Sequence, residues 1–338
     1  MLKLLLDPWS PDYEAAIQAD GAESARTGAV DPGVETDQWR AIRPAPCVSG
    51  RRVYFVDGVR RVEARVLAQD DDGRLIHGLF ASAGVGSVAT GTDDTVPRGR
   101  LCPAKTVPVP TPLAKYDCVE IRRYLILGGG KQRAESISTG TQTVRFEGIS
   151  SPGDTPDDLM NCLQNLMRTR EAALAESLLA PGTCVFADGP LNYFSSATDA
   201  LVGVIKRIYL PYLDALHFAL AGRLRSGERT PLFSIRDGKY DRYSWFQRLA
   251  PRRATEHNLA GIVRLEVRAA LGVEQAAALA DFAAAGLPGF ASKAVRDPRA
   301  PQNLVPVGAL EEMLRHRLGD VITIRRAIER KIYEGVTV

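Results

Sequence analysis

Apolar positions along the chain fall into short runs and alternations, with one long helical repeat set among them. Arg52–Asp57 carries Val53, Tyr54, Phe55 and Val56 in succession, which predicts a buried strand ending at Asp57-Gly58. Val59–Ala68 and Leu75–Ser87 alternate enough to predict two antiparallel neighbours, joined by the turn Asp70-Asp71-Asp72-Gly73. Asp117–Leu127 predicts a further strand, stopped by Gly128-Gly129-Gly130. Asp154-Thr155-Pro156-Asp157-Asp158 then combines a capping side chain, an early proline and acidic residues at the positive end of a helix dipole. Leucines and alanines repeat at helical spacing from Leu159 to Leu179, as far as Pro181-Gly182. Val185-Phe186-Ala187-Asp188-Gly189 follows as a second apolar strand ending in Asp-Gly, and Ala200–Ile208 as a third, with Lys206-Arg207 at its end. Residues 210–223 and 273–286 predict helices, Leu232–Ile235 and Leu259–Val267 strands, and Val307–Arg317 a closing amphipathic helix.

This order predicts an α/β fold: a mixed β-sheet flanked by helices, with an irregular N-terminal extension and insertions. The extension is residues 1–50, punctuated by five prolines and holding one helix around Asp12–Ala25; residues 51–338 form the main domain. Segment 90–115 is predicted to be a long loop. Residues 1–30 are expected to have little core of their own and are the candidates for dimer or partner contacts.

Composition adds little to this picture. At 45% hydrophobic and 25% charged, the 338 residues are ordinary globular material. No apolar run reaches the ~20 residues that span a bilayer, so the expectation is a cytoplasmic protein. Cys47, Cys102, Cys118, Cys162 and Cys184 are odd in number and lack a Cys-x-x-Cys pair, which predicts reduced, mostly buried thiols. The net charge of +3 does not by itself indicate a polyanionic partner, although only 8 of the 43 basic residues are Lys and Arg is the better phosphate fork.

The two Asp-Gly strand ends carry the chemistry. A strand delivers its last side chain with little slack, and a following glycine lets backbone or ligand come close. Asp57 and Asp188 converging with a carboxylate from the intervening helix would make a hard, oxygen-rich site suited to Mg²⁺ or Mn²⁺. By spacing alone Glu171 and Glu176 are equal candidates for that third carboxylate. Two ions ~3.5–4 Å apart can activate a water and stabilise the leaving oxygen of a phosphodiester. Glu311 and Glu312, expected in the first turn of the last helix, serve either the helix dipole or a fourth metal ligand. Lys206 at a strand end can hold a phosphate, and Arg60, Arg61 and Arg65 supply a basic edge. Tyr240, Tyr243, Trp245 and Phe246, interleaved with Arg236, Lys239, Arg242 and Arg248, are either a single-strand stacking surface or a half-buried aromatic edge. The four histidines show no zinc spacing, and Gly128-Gly129-Gly130-Lys131 lacks the Ser/Thr of a phosphate loop.

These motifs resemble the NurA nuclease family, whose core is RNase H-like. Phe55-Val56-Asp57-Gly58 resembles its first catalytic strand. Arg168 to Glu171 followed by Val185–Leu191 resembles its helix Glu and second Asp-Gly-x-Leu strand, and Leu201–Lys206 its Lys-ended strand. The resemblance implies Asp57, Glu171 and Asp188 as metal ligands, choosing Glu171 over Glu176, with Lys206 as a catalytic-site cation. At the C-terminal block, Asn303–Glu311 keeps one proline, places Asn303 where the family has Tyr and Glu311 where it has His; Glu311 is the implied fourth ligand. The family implies a Mn²⁺-dependent DNase using two ions, with Mg²⁺ the alternative. Its implied activities are 5′–3′ exonuclease and single-strand endonuclease on DNA and DNA ends. It also implies a homodimer that works with a HerA-type hexameric ATPase in end resection and repair. A catalytically weak DNA-end-binding subunit of the same ATPase complex is the alternative. An aspartic-peptidase dyad, which shares a proton between two carboxylates, is disfavoured because those sites read Asp-Thr-Gly or Asp-Ser-Gly in nearly all-β chains.

Overall fold

The computed structural model describes residues 3–6, 28–45, 51–70, 72–90, 115–195, 200–208, 210–238, 240–254, 256–293, 295, 297 and 299–336. The predicted helix at 12–25, most of the predicted loop at 90–115, and Cys47 and Cys102 lie outside the described residues. The strands are β1 (Lys3–Leu6), β2 (Ala29–Asp31), β3 (Arg52–Gln69), β4 (Leu75–Thr90), β5 (Lys115–Leu127), β6 (Glu135–Ser138), β7 (Thr143–Ser150), β8 (Thr183–Asp188), β9 (Leu201–Ile205), β10 (Phe233–Arg236), β11 (Arg242–Arg248) and β12 (Ile262–Arg268). The helices are α1 (Pro156–Ser177), α2 (Ala215–Arg223), α3 (Val273–Gly286), α4 (Val305–Arg317) and α5 (Val321–Val336).

All strands join one mixed sheet in the order β2-β10-β11-β12-β9-β8-β3-β4-β5-β7-β6, with β1 also paired to β3. At its centre β3, β4 and β5 form an antiparallel meander, and β8 and β9 add in parallel on the other side of β3. Helix α1 begins where the sequence predicts, with a reciprocal Thr155–Asp158 capping box and Pro156 in its first turn. Its Ala172 and Ala175 pack on Tyr54, Val56, Val185 and Ala187. The opposite parity, Val53, Phe55, Cys184, Phe186, Val202 and Val204, packs on Ala276, Leu279, Ala280 and Ala283 of α3 and on Val307 of α4. The central strands are thus buried on both faces, which is why they read as continuous apolar runs. None of the described helices is long and apolar enough to cross a membrane.

Several expectations change. The predicted break at Asp57-Gly58 does not occur: Arg52–Gln69 is a single 18-residue strand, paired with β4 almost throughout. Gly58 stays extended because the ladder holds it, and a Cβ there would sit 3.0 Å from Met167 Cγ. The two-strand reading of 52–68 therefore becomes one strand, with an irregularity between Val62 and Ala64. Strands β6 and β7 and helix α5 were not expected; α5 restarts the chain after Gly319, where Asp320 accepts the Thr323 N–H at 2.7 Å. Helix α4 is not the closing element. It begins at Val305, two residues before its predicted start, so Glu311 and Glu312 lie mid-helix and the first-turn dipole reading fails. Two described pieces of the segment 1–50 are strands of the sheet, β1 and β2. Cys184 is buried, Cys162 half-buried and Cys118 exposed.

Most of the aromatic stretch 240–248 is core, with Tyr240 and Tyr243 half-buried. Trp245 and Phe246 are fully buried on β11, Arg242 and Arg248 are also buried, and the Arg248 guanidinium donates to the carbonyls of Leu224, Gly222, Ala260 and Asn258. A strand in mid-sheet alternates its residues between two covered faces, which leaves no continuous surface for stacking bases.

Candidate metal centre

Register brings the first three groups together. In the parallel pairing of β3 with β8, Val56 lies opposite Ala187, and in that of β8 with β9, Asp188 lies opposite Val204. Asp57 and Asp188, the next residues, are thereby side by side on adjacent strands; Lys206, two residues past Val204 and just beyond the end of β9, follows on the same face, which carries Phe55, Phe186 and Val204. Gly189, at φ 107°, turns the chain away directly after Asp188. Helix α4 crosses the same face and adds Glu311. Carboxylate oxygens of Asp57, Asp188 and Glu311 all lie within 4.8 Å of one another.

Glu171 arrives from α1 on the opposite face and is 3% exposed. Arg168, one turn earlier, donates from Nη1 to Glu171 Oε2 at 3.0 Å and to the Asp188 carbonyl at 2.6 Å, tying helix to strand end. Glu176 points elsewhere: its carboxylate accepts the Ser195 N–H and hydroxyl. On the other side of the cluster, Lys206 Nζ donates to Asp188 Oδ2 at 2.8 Å and to Asn303 Oδ1 at 2.7 Å. The buried Asn303 passes this contact on through its Nδ2 to Asp297 Oδ2 at 2.6 Å. Glu311 is gripped by Arg299, whose Nη1 and Nη2 donate to Oε1 and Oε2 at 2.7 Å each, and is touched by Arg315 Nη2 at 3.4 Å.

Two carboxylate oxygens stand out. Asp57 Oδ1 accepts its neighbour Gly58 N–H at 2.8 Å, but Oδ2 is buried without a hydrogen-bond donor among the described residues, and so is Glu171 Oε1. A buried acceptor left unsatisfied costs roughly 1–3 kcal/mol, more when charged. Burial, reinforced by the Asp188 and Glu171 carboxylates, pushes the Asp57 carboxyl well above its usual range. Burial also raises Glu171 to about 7, against the opposing pull of Arg168. The donor set is all carboxylate oxygen, with two atoms lacking any other partner; it fits a hard divalent cation. An aspartic-peptidase dyad fits less well, because Asp188 already pairs with a lysine and the sheet is layered with helices.

A raised carboxyl pKa has a stability consequence. It contributes nothing below the unfolded value and costs progressively more as pH rises toward the folded one, a window that for Glu171 runs from 4.5 to about 7. Thermal unfolding in EDTA is expected to weaken across that window, and saturating Mn²⁺ is expected to restore the midpoint most at its upper end. Midpoints independent of both pH and Mn²⁺ would contradict the charge balance described.

An open cleft of about 600 Å³ leads to the cluster. Asp57, Asp188 and Glu311 line it, together with six cations: Arg60, Arg168, Lys206, Arg207, Arg299 and Arg315. Of the three arginines expected to form a basic edge, Arg60 lines the cleft and donates to Gln164. Arg61 instead pairs with the buried Glu63 and donates to the carbonyls of Leu318 and Gly319. Arg299 and Asp297 have no sequence signal, because their roles arise only where an irregular segment folds back over α4.

No protein-family model matches the chain, and no curated protein matches it. Among solved structures, the crystal structure of the NurA nuclease from Sulfolobus solfataricus aligns with a TM-score of 0.45 at 12% identity, covering 88% of this chain and 88% of that one.

Proposed function

We propose that this protein is a metal-dependent deoxyribonuclease that hydrolyses phosphodiester bonds in the cleft above Asp57. The carrying observation is the carboxylate cluster of Asp57, Asp188 and Glu311, with Asp57 Oδ2 unpartnered among the described residues, in a cleft whose lining includes five arginines and Lys206. Asp57, Glu171, Asp188 and Glu311 would hold Mn²⁺, as one or two ions, with Mg²⁺ the alternative. Such ions supply an activated water and neutralise charge on the leaving oxygen. The protein's own groups do the rest. Lys206, on the cleft wall, spends two of its three N–H donors on Asp188 and Asn303, which leaves the third for a phosphate oxygen. The cleft arginines hold the flanking backbone, positioning substrate without reading sequence. Arg168 fixes Glu171 against the end of β8, so the carboxylates keep their spacing when the nucleic acid binds.

The finer reading rests on the sequence motifs: 5′–3′ exonuclease and single-strand endonuclease activity, a homodimer, and work beside a HerA-type hexameric ATPase in DNA end resection. The decisive assay uses labelled single- and double-stranded DNA with Mn²⁺, Mg²⁺ or EDTA, with and without the ATPase. Cleavage is expected with Mn²⁺ and none with EDTA. DNA binding without metal-dependent turnover in any combination would overturn the enzyme and favour a DNA-end-binding subunit.

A further inference from the structure

Three of the four carboxylates in the cluster are each bonded to a cation, and the three cations are not equivalent. Lys206 and Arg168 have side chains only 16% and 15% exposed, and each has a second anchor in the framework, Asn303 for Lys206 and the Asp188 carbonyl for Arg168. Arg299 is 45% exposed. Its second partner, Asp297, lies two residues away on the irregular segment between α3 and α4 and is itself held by the buried Asn303, so Asp297 keeps a donor when Arg299 leaves. The Arg299 fork occupies both oxygens of Glu311, one of which already lies within 4.8 Å of carboxylate oxygens of Asp57 and Asp188. A guanidinium and a divalent ion on one carboxylate share its negative charge and repel one another at short range.

Building on the nuclease reading, we propose that Arg299 is an exchangeable counter-ion: it pairs with Glu311 until a divalent cation binds, and then passes to a phosphate of the DNA in the cleft. Arg suits both states, because its planar fork matches carboxylate and phosphate alike. The exchange couples metal loading to substrate grip. The metal-free protein hides one phosphate-binding arginine on its own glutamate, and metal entry releases it beside Arg315 and Arg60 on the cleft wall.

The opposite role, Arg299 as a fixed support that orients Glu311 for the metal, makes the opposite prediction. Loss of a supporting partner of a metal ligand lowers metal affinity by about 10–100-fold. Loss of a competitor raises it. Mn²⁺ binding to the full chain without DNA, measured by calorimetry, is therefore expected to tighten in Arg299→Gln by on the order of tenfold, the scale of one charge-assisted hydrogen bond. Arg299→Lys, which keeps the charge and loses the fork, is expected to fall between. Binding of a single-stranded oligonucleotide provides the second readout. In EDTA, wild type and Arg299→Gln are expected to share one salt dependence. In Ca²⁺, the variant's slope is expected to be shallower by about 0.7, one phosphate contact on single-stranded nucleic acid. Unchanged or weaker Mn²⁺ affinity in Arg299→Gln, with Asp57→Asn still defective, overturns the exchange and leaves the metal site standing. Mn²⁺ binding that Asp57→Asn does not diminish overturns the site and the exchange together.

Discussion

Asp57→Asn is expected to abolish Mn²⁺-dependent cleavage of single-stranded DNA while leaving the fold intact. The side chain keeps its volume and its Oδ1 contact to the Gly58 N–H, so the strand ladder is undisturbed. What disappears is the charge at the centre of the cluster, on the carboxylate that sits among Asp188, Glu171 and Glu311. Charge stabilisation by a bound cation contributes several kcal/mol to such a reaction, and each ~1.4 kcal/mol is a factor of ten in rate. The loss is therefore expected to be on the order of 10³-fold or more. Circular dichroism and thermal unfolding in EDTA should match or exceed wild type, because a buried, destabilised charge has been removed. Cleavage retained within tenfold of wild type would show that Asp57 is not at the reacting centre.

Glu266→Ala is expected to produce the largest loss of stability. Glu266 is fully buried on β12; it accepts the Leu191 N–H at 2.9 Å and the Arg264 guanidinium at 2.7 Å, with the Arg242 Nε at 3.3 Å. Both arginines are themselves buried, at 0% and 8% exposed. Removing one partner from a buried ion pair leaves uncompensated charge and costs about 3–5 kcal/mol. The change also releases the turn at Leu191 that follows Asp188-Gly189, so metal affinity is expected to fall with stability. Glu266→Gln keeps an acceptor for Leu191 and should lie between. Glu329→Ala, which breaks an exposed pair with Arg325 on α5, is the comparison and is expected to cost no more than about 0.5 kcal/mol. Chemical denaturation separates these cases, and similar midpoints for Glu266→Ala and wild type would remove the burial argument.

The same buried arginines explain part of the composition. Arg229, Arg242, Arg248 and Arg264 are 0–8% exposed, and they satisfy carboxylates or loop carbonyls inside the protein. An Arg-rich sequence therefore did not translate directly into a nucleic-acid surface. Only geometry separates Arg60 on the cleft from Arg61, one residue away, which pairs inward with Glu63.

Much of the site was legible beforehand, because it is built from strand ends. An apolar run, a terminal charged residue and the two-residue period of a strand are local properties; they identified Asp57, Asp188 and Lys206 as groups delivered at the edge of a buried sheet, and the Thr155–Asp158 box located the helix between them. Local pattern also misled. Asp57-Gly58 and Asp188-Gly189 read identically, yet the first lies inside an 18-residue strand and the second ends one. The difference is β4, which pairs along β3 past Gly58, whereas β8 ends at Asp188 and Gly189 turns away.

By itself, then, the sequence determined which residue types could form the centre and on which elements they ride, since hydrophobic period and capping act over a few residues. The tertiary structure decided which of them meet. Parallel register set Asp57 beside Asp188 and brought Lys206 to the same face, and helix packing put the Glu171 carboxylate beside Arg168 and that of Glu176 on Ser195. The early start of α4 put Glu311 mid-helix and over the cluster, and the segment before it placed Arg299 on that carboxylate. Contacts between residues far apart in the chain depend on how layers stack and on charges desolvated together, and neither leaves a local trace in the order of amino acids.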